Sequence, residues 1–209
     1  MTEDTVIYKI RSKGYTTTSK TPDVPQGRDT FETPNYAVDL LVPFIPCRVR
    51  SIWECACGSG KIRRRLQHYG YQVYGSDIRD LKEVVDINES FLEDTKAKWV
   101  LGPNFEAIDM IVTNPPYSIK EKFIERAFEI GKPFAFLINA DYSGLQISWI
   151  ERGCEKIIPN RRIDFITPTG RQGSTSASQF HSMWLTYGLR LGRTETFVDL
   201  PLKEKKENI

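Results

Sequence analysis

From residue 51 onward, short apolar runs alternate with amphipathic ones. Strand-like runs fall at 51–55, 72–75, 108–113, 134–138, 156–158, 163–166 and 183–187, and helical spacing recurs at 61–69, 119–130 and 145–152. An earlier helix is predicted by Tyr36, Leu40, Leu41 and Phe44 at three- to four-residue spacing, with Pro34 suited to its first turn and Pro46 closing it. In the helix over 119–130, Ile119, Phe123, Ala127 and Ile130 share a face; Ser118 and Glu121 form the expected cap, and Gly131 and Pro133 the stop. Such alternation predicts an α/β fold whose mostly parallel sheet carries helices on both faces.

The flanks differ in kind. Residues 1–30 are polar and without periodicity, which predicts a flexible N-terminal arm; 201–209 read as a charged tail. Between them, 31–200 form one expected domain, since 209 residues with 40% hydrophobic side chains supply one core rather than two. Lys and Arg number 29 against 27 Asp and Glu, so a nucleic-acid partner would have to be met by a local patch. No apolar run approaches the roughly 20 residues that span a bilayer, and a soluble, cytoplasmic chain is expected. Cys47, Cys55, Cys57 and Cys154 include no C-x-x-C pair, and only His68 and His181 could join them, so neither zinc nor a disulfide framework is predicted.

Two segments carry chemistry. The first, Glu54-Cys55-Ala56-Cys57-Gly58-Ser59-Gly60-Lys61, runs from a strand through a glycine turn into a helix. A P-loop would need Gly at 55 and Ser or Thr at 62, where Cys and Ile stand, and a dinucleotide fingerprint would need a small residue where Arg63 stands. What survives is a ligand over the turn, flanked by Glu54 and by Asp77, whose carboxylate ends the second strand and can accept from ribose hydroxyls.

The second is Thr113-Asn114-Pro115-Pro116-Tyr117, directly after an apolar strand. Chance occurrence of Asn-Pro-Pro-Tyr in such a chain is on the order of one in a thousand. An aromatic exocyclic amine is a poor nucleophile, because its lone pair is delocalised into the ring. The Asn114 side-chain carbonyl and the Pro115 backbone carbonyl can accept its two N–H groups; the prolines stiffen the turn, and Tyr117 can stack on the base.

Together these segments resemble class I S-adenosylmethionine-dependent methyltransferases, above all small stand-alone, phage-like DNA adenine-N6 methyltransferases. The likeness runs from about Phe31 to Tyr187. It implies a Rossmann-like sheet, S-adenosylmethionine as cofactor and Asn114, Pro115, Pro116 and Tyr117 as the catalytic set. It also implies cofactor contacts from Phe31, Thr33, Pro34, Glu54, Ala56, Gly58, Gly60, Asp77, Ile78, Ser90 and Phe91. Ser90 stands where the family usually has Asp, a departure that leaves no charge there, with Asp94 as a substitute only if the loop shifts. Arg162-Ile163-Asp164-Phe165 resembles a motif that helps to sandwich the target base, although a core role for Phe165 fits the residues equally well.

With 92 residues after Tyr117, recognition falls to short elements: 167–179 with Arg171, and Arg161 and Arg162 against phosphates. Lys61, Arg63, Arg64 and Arg65 read as a solvated helix face. The expected partner is DNA with an adenine target, for a monomer or weak dimer. RNA bases, a protein glutamine amide and a non-catalytic methyltransferase-fold subunit stay open as alternatives.

Overall fold

The central strands are apolar on both sides because both of their faces are covered, as in parallel sheets generally. In a computed structural model, which describes residues 31–79, 81, 84–88, 90–92, 107–166 and 180–200, β1 (Ser51–Glu54), β4 (Met110–Thr113) and β5 (Phe134–Asn139) are buried along nearly their whole length. With β2 (Gln72–Asp77), β3 (Ile87–Asn88), β6 (Cys154–Pro159), β7 (Ser182–Tyr187) and β8 (Glu195–Val198) they form a sheet in the order β3-β2-β1-β4-β5-β7-β6-β8. Among the described residues β7 alone is reversed, pairing antiparallel with both β5 and β6. The strand order turns back on either side of β1 and β4, so their carboxyl ends open on the crevice where α/β sheets bind ligands.

Two layers of helix cover the sheet. On one face α1 (Asn35–Asp39) and α2 (Lys61–His68) bury Ala37, Val38, Ile62 and Leu66 against Val73, Met110, Val112, Leu137 and Trp184. On the other, α3 (Lys120–Ile130) and α4 (Gly144–Glu151) bury Phe123, Ile124, Ala127 and Trp149 against Ile111, Phe134, Phe136 and Met183. Each large side chain so buried contributes about 1.5–3 kcal/mol from lost apolar exposure. The α/β class, the mostly parallel sheet and the helices on both faces therefore stand as the hydrophobic pattern predicts.

Several local expectations are corrected. The alternation at 163–166 makes no strand: Ile163 and Phe165 point into the α1-side core, and pairing is limited to one bridge between Ile166 and Glu32. Ser118 does not cap α3, because Tyr117–Ile119 form a 3-10 turn and Ile119 takes the N-cap position without a side-chain bond. The first helix is shorter than its spacing suggests. Pro43 has no N–H to continue it, and a 3-10 turn at Val42–Phe44 follows instead. The two-residue β3 and the half-exposed β8 carry too little apolar signal to be read from sequence. The expected arm at 1–30 and tail at 201–209 lie outside the described residues.

Candidate active site

β1 delivers Glu54 to the crevice, and the chain then turns through Gly58 and Gly60, whose φ angles are +54° and +78°. A side chain at 60 is barred twice over, by that backbone and by Val84, whose Cγ1 would stand 2.7 Å from an added Cβ. Gly75, which sequence reasoning passed over, is required for a related reason: a Cβ there would meet Cys57 Sγ at 2.9 Å. The turn thus packs directly against β2, with Cys57 N–H donating to Ser76 O at 2.9 Å.

Above the turn lies a cavity of about 380 Å³, inside the range of roughly 300–1,000 Å³ for small-molecule sites. Among the residues predicted for the site, Phe31, Thr33, Glu54, Ala56, Gly58, Asp77, Ile78, Ser90, Phe91, Asn114 and Pro116 line it. Pro34 instead precedes α1 as its N-cap, Gly60 is buried at the end of the turn as the N-cap of α2, Pro115 is buried, and Tyr117 opens the 3-10 turn. Phe165 is packed in the α1-side core, and Arg162 is exposed beside it. Arg171 and Asp94 lie outside the described residues.

The roof is tied down. Glu32 and Ile166 exchange backbone hydrogen bonds at 2.9 Å each, and Lys61 pairs with Glu32 at 3.5 Å. The Tyr36 hydroxyl accepts from Asp164 N–H at 2.7 Å, linking the same two segments. Along the wall, Ile78 is 42% exposed and offers an apolar side chain to a ligand, whereas the Phe91 ring is held by Trp53 and Phe123 at 5.2 and 5.0 Å and only borders the space. Ser90 Oγ accepts from Leu92 N–H at 3.2 Å within its own turn.

The two carboxylates differ sharply. Asp77 accepts from Gly58 N–H at 2.8 Å, from Arg79 N–H at 3.0 Å, and from the Arg79 guanidinium at 2.9 Å and 3.0 Å. Burial alone would raise its pKa, but these donors outweigh it and hold the carboxyl below the usual range. Glu54 has no such company. Burial pushes it up to about 8, against smaller opposing effects from the Cys57 hydrogen bond and from Arg63, so the acid is mostly protonated at neutral pH. Arg79, which lines the cavity and engages Asp77, went unread in the sequence; its only signal was its place two residues after a strand-end Asp.

The basic run after the turn, expected as a solvated face, is partly engaged within the chain. Arg63 donates to Val84 O at 2.5 Å and pairs with Asp86 at 2.9 Å, while Arg65 forms a two-bonded pair with Asp39 at 2.6 and 2.9 Å. Only Arg64 of the three arginines is exposed. These side chains stitch α2 to its neighbours.

At the end of β4 the chemistry is of another kind. Asn114 Oδ1 is buried at the cavity wall and has no hydrogen-bond partner, and Pro115 and Pro116 follow it without N–H groups of their own. A buried acceptor left without a donor costs about 1–3 kcal/mol, which a donor entering the cavity would offset.

Strand order, reversed β7 and flanking helices define the class I methyltransferase fold. No protein-family model matches the chain, and no relative is found among curated proteins. Several solved structures are similar in fold. One, from Pyrococcus horikoshii, is provisionally described as an RNA methyltransferase: 17% identical, covering 75% of this chain and 85% of its own, with a TM-score of 0.46. A TehB-like S-adenosylmethionine-dependent methyltransferase from Corynebacterium glutamicum is 13% identical over 73% of this chain and 86% of its own, at 0.41. An rRNA methylase from Streptococcus thermophilus is 12% identical over 72% and 94%, also at 0.41. At such identities the fold class rests on the strand order of the chain itself.

Proposed function

We propose that the protein is an S-adenosylmethionine-dependent methyltransferase acting on the exocyclic N6 amine of adenine in DNA. The observation that carries this reading is Asn114 Oδ1: a buried, partnerless acceptor, followed by two prolines, at the wall of a cavity built on a glycine turn.

The residues present fit the cofactor. The turn admits close approach at Gly58, Ile78 offers an apolar face for a purine, and Asp77 stands where ribose hydroxyls would donate. Holding a ribose requires Asp77 to exchange part of the Arg79 guanidinium for the sugar, because both its oxygens are already engaged. Glu54 lines the same cavity and, on ionising, would face the cationic part of the ligand. Bound there, S-adenosylmethionine supplies an electrophilic methyl group.

What the chain itself does is hold the amine. Asn114 Oδ1 accepts one N–H and the Pro115 carbonyl the other, which draws the nitrogen toward tetrahedral geometry and frees its lone pair. Tyr117 stacks on the base, and a duplex substrate must give up the adenine from its stack at a cost of a few kcal/mol. Proline stiffness holds the two acceptors in a fixed arrangement.

Incubation of the protein with methyl-labelled cofactor and, separately, duplex DNA, RNA and protein extract tests the reading. Label is expected on adenine of the DNA; label confined to RNA or to protein would overturn the assignment of substrate.

A further inference from the structure

The sheet ends on β8, far from the crevice, and one side of this strand is open. Lys156 N–H and Asn160 N–H donate to the Thr194 and Val198 carbonyls at 2.7 and 2.8 Å, so by alternation residues 194, 196 and 198 turn their backbone groups toward β6. Glu195 and Phe197 therefore direct their N–H and C=O groups outward. Among the described residues no strand pairs with that side. Such an edge is a template for another chain, and proteins commonly blunt it with lysine or proline. Neither stands in Glu195–Val198; the Glu195 carboxylate is drawn back to Lys156 at 3.6 Å, and Phe197 is 70% exposed.

An apolar patch adjoins the edge. Pairing sets Glu195 and Phe197 level with Lys156 and Ile158 on the sheet face that α4 covers, and Val198 on the other. Tyr142 lies on the α4 face too, 72% exposed, with its ring centroid 4.4 Å from Lys156 Nζ. Trp149 and Arg152 reach from α4 to Glu125 of α3, so Ile147, exposed on the opposite flank of α4, faces the β8 side. Exposed apolar side chains gathered beside an open strand mark an interaction site.

The edge is complementary to itself. A second β8, related by a two-fold axis perpendicular to the sheet, runs antiparallel, and opposed residues must then share a face. Centring the pair on Glu195 sets this carboxylate against its own copy, and centring it on Phe197 sets Glu195 against Asp199 of the second copy. Both oppose like charges, which is destabilising directly across strands. Centring on Thr196 instead sets Arg193, which is exposed, against the equally exposed Asp199 of the second copy, twice over by symmetry. In that register Glu195 and Phe197 oppose each other and exchange all their outward backbone bonds, and the two phenylalanines lie on a diagonal within reach of one another.

We propose that β8 pairs edge to edge with β8 of a second copy of this chain, in the register centred on Thr196, to form a two-fold homodimer with one continuous sheet. The crevice of each copy stays open, since β5, β7 and β6 stand between β4 and β8. A four-residue strand and a few apolar side chains make a small interface beside the roughly 1,200–2,000 Å² of stable pairs, so the dimer forms and dissociates with concentration.

Sedimentation of the full chain from low micromolar to submillimolar concentration tests this, with amide hydrogen exchange followed in parallel. The mass is expected to rise from one chain toward two, and exchange at the Glu195 and Phe197 amides to slow with it, while Thr196, already turned toward β6, is unchanged. Arg193→Asp and Asp199→Arg should each weaken association about tenfold, because the change acts at two symmetric places, and the double variant should restore it. Phe197→Lys should leave the chain monomeric. A wild type that stays monomeric throughout, whether its β8 amides exchange freely or are covered by another segment of the chain, would overturn the inference. So would a dimer that Phe197→Lys leaves intact, one whose formation leaves the Glu195 and Phe197 amides unprotected, or a double variant as weak as the single ones. None of these outcomes bears on the methyl-transfer reading of the crevice.

Discussion

At the glycine turn, Asp77 is surrounded by donors from within the chain: the Gly58 and Arg79 amides and two nitrogens of the Arg79 side chain. Along the same edge, at the end of β4, Asn114 Oδ1 is buried with no partner among the described residues. The first region is satisfied before any ligand arrives, so binding there is an exchange of one set of hydrogen bonds for another. On the proposed reading the second gains hydrogen bonds outright when a donor enters, which would concentrate interaction energy on the group to be transformed. On the proposed reading, the two ends of the crevice separate affinity from chemistry.

The largest expected effect lies in the unsatisfied region. Asn114→Ala should slow methyl transfer by about 10²–10³-fold, the usual loss for one catalytic hydrogen-bond partner, with cofactor affinity within twofold by calorimetry. A variant that lost binding and turnover equally would erase the distinction between the two regions.

Next comes the exchange at Asp77. Asp77→Ala should weaken cofactor binding about tenfold or more, since bonds to an ionised carboxylate are worth about 1.5–3 kcal/mol. Arg79→Ala should do the opposite and tighten it by a few fold, because the guanidinium no longer competes for the same oxygens. If Arg79→Ala also weakens binding, the guanidinium belongs to the ligand's own contacts, and the exchange is wrong.

A smaller effect follows from Glu54, whose pKa stands near 8 in the folded chain. A cationic ligand favours its ionised form, so cofactor affinity should climb as pH rises from 6 toward 8 and level off above; Glu54→Gln should flatten that profile. Stability has the opposite sign. The folded state holds a proton that the unfolded chain releases at the ordinary 4.5, so this residue's contribution to stability falls as pH rises from about 4.5 to 8 and is constant above. Melting temperatures of wild type and Glu54→Gln across that window measure it, and parallel curves would contradict the assigned burial.

Much of this was legible in the sequence, and the reasons differ by region. The buried strands could be read because apolar runs bounded by turns have few other uses, and Asn-Pro-Pro-Tyr because two prolines after a strand restrict the backbone in so few ways. Glu54, Asp77 and Asn114 meet around one cavity as their positions at strand ends implied. Arg79 was invisible, since only the folded chain shows that a residue two places on bends back onto Asp77. Phe165 shows the converse, a residue whose motif suggested a base contact and whose alternation placed it in the core. Long-range register is what a single sequence withholds.

The central claim is tested most directly by the nucleosides themselves. Duplex DNA treated with the wild-type protein and S-adenosylmethionine, then digested and resolved by mass spectrometry, should contain N6-methyldeoxyadenosine, and the same DNA treated with Asn114→Ala should contain essentially none. Methyl groups found on cytosine, or equal N6-methyldeoxyadenosine from both proteins, would contradict it.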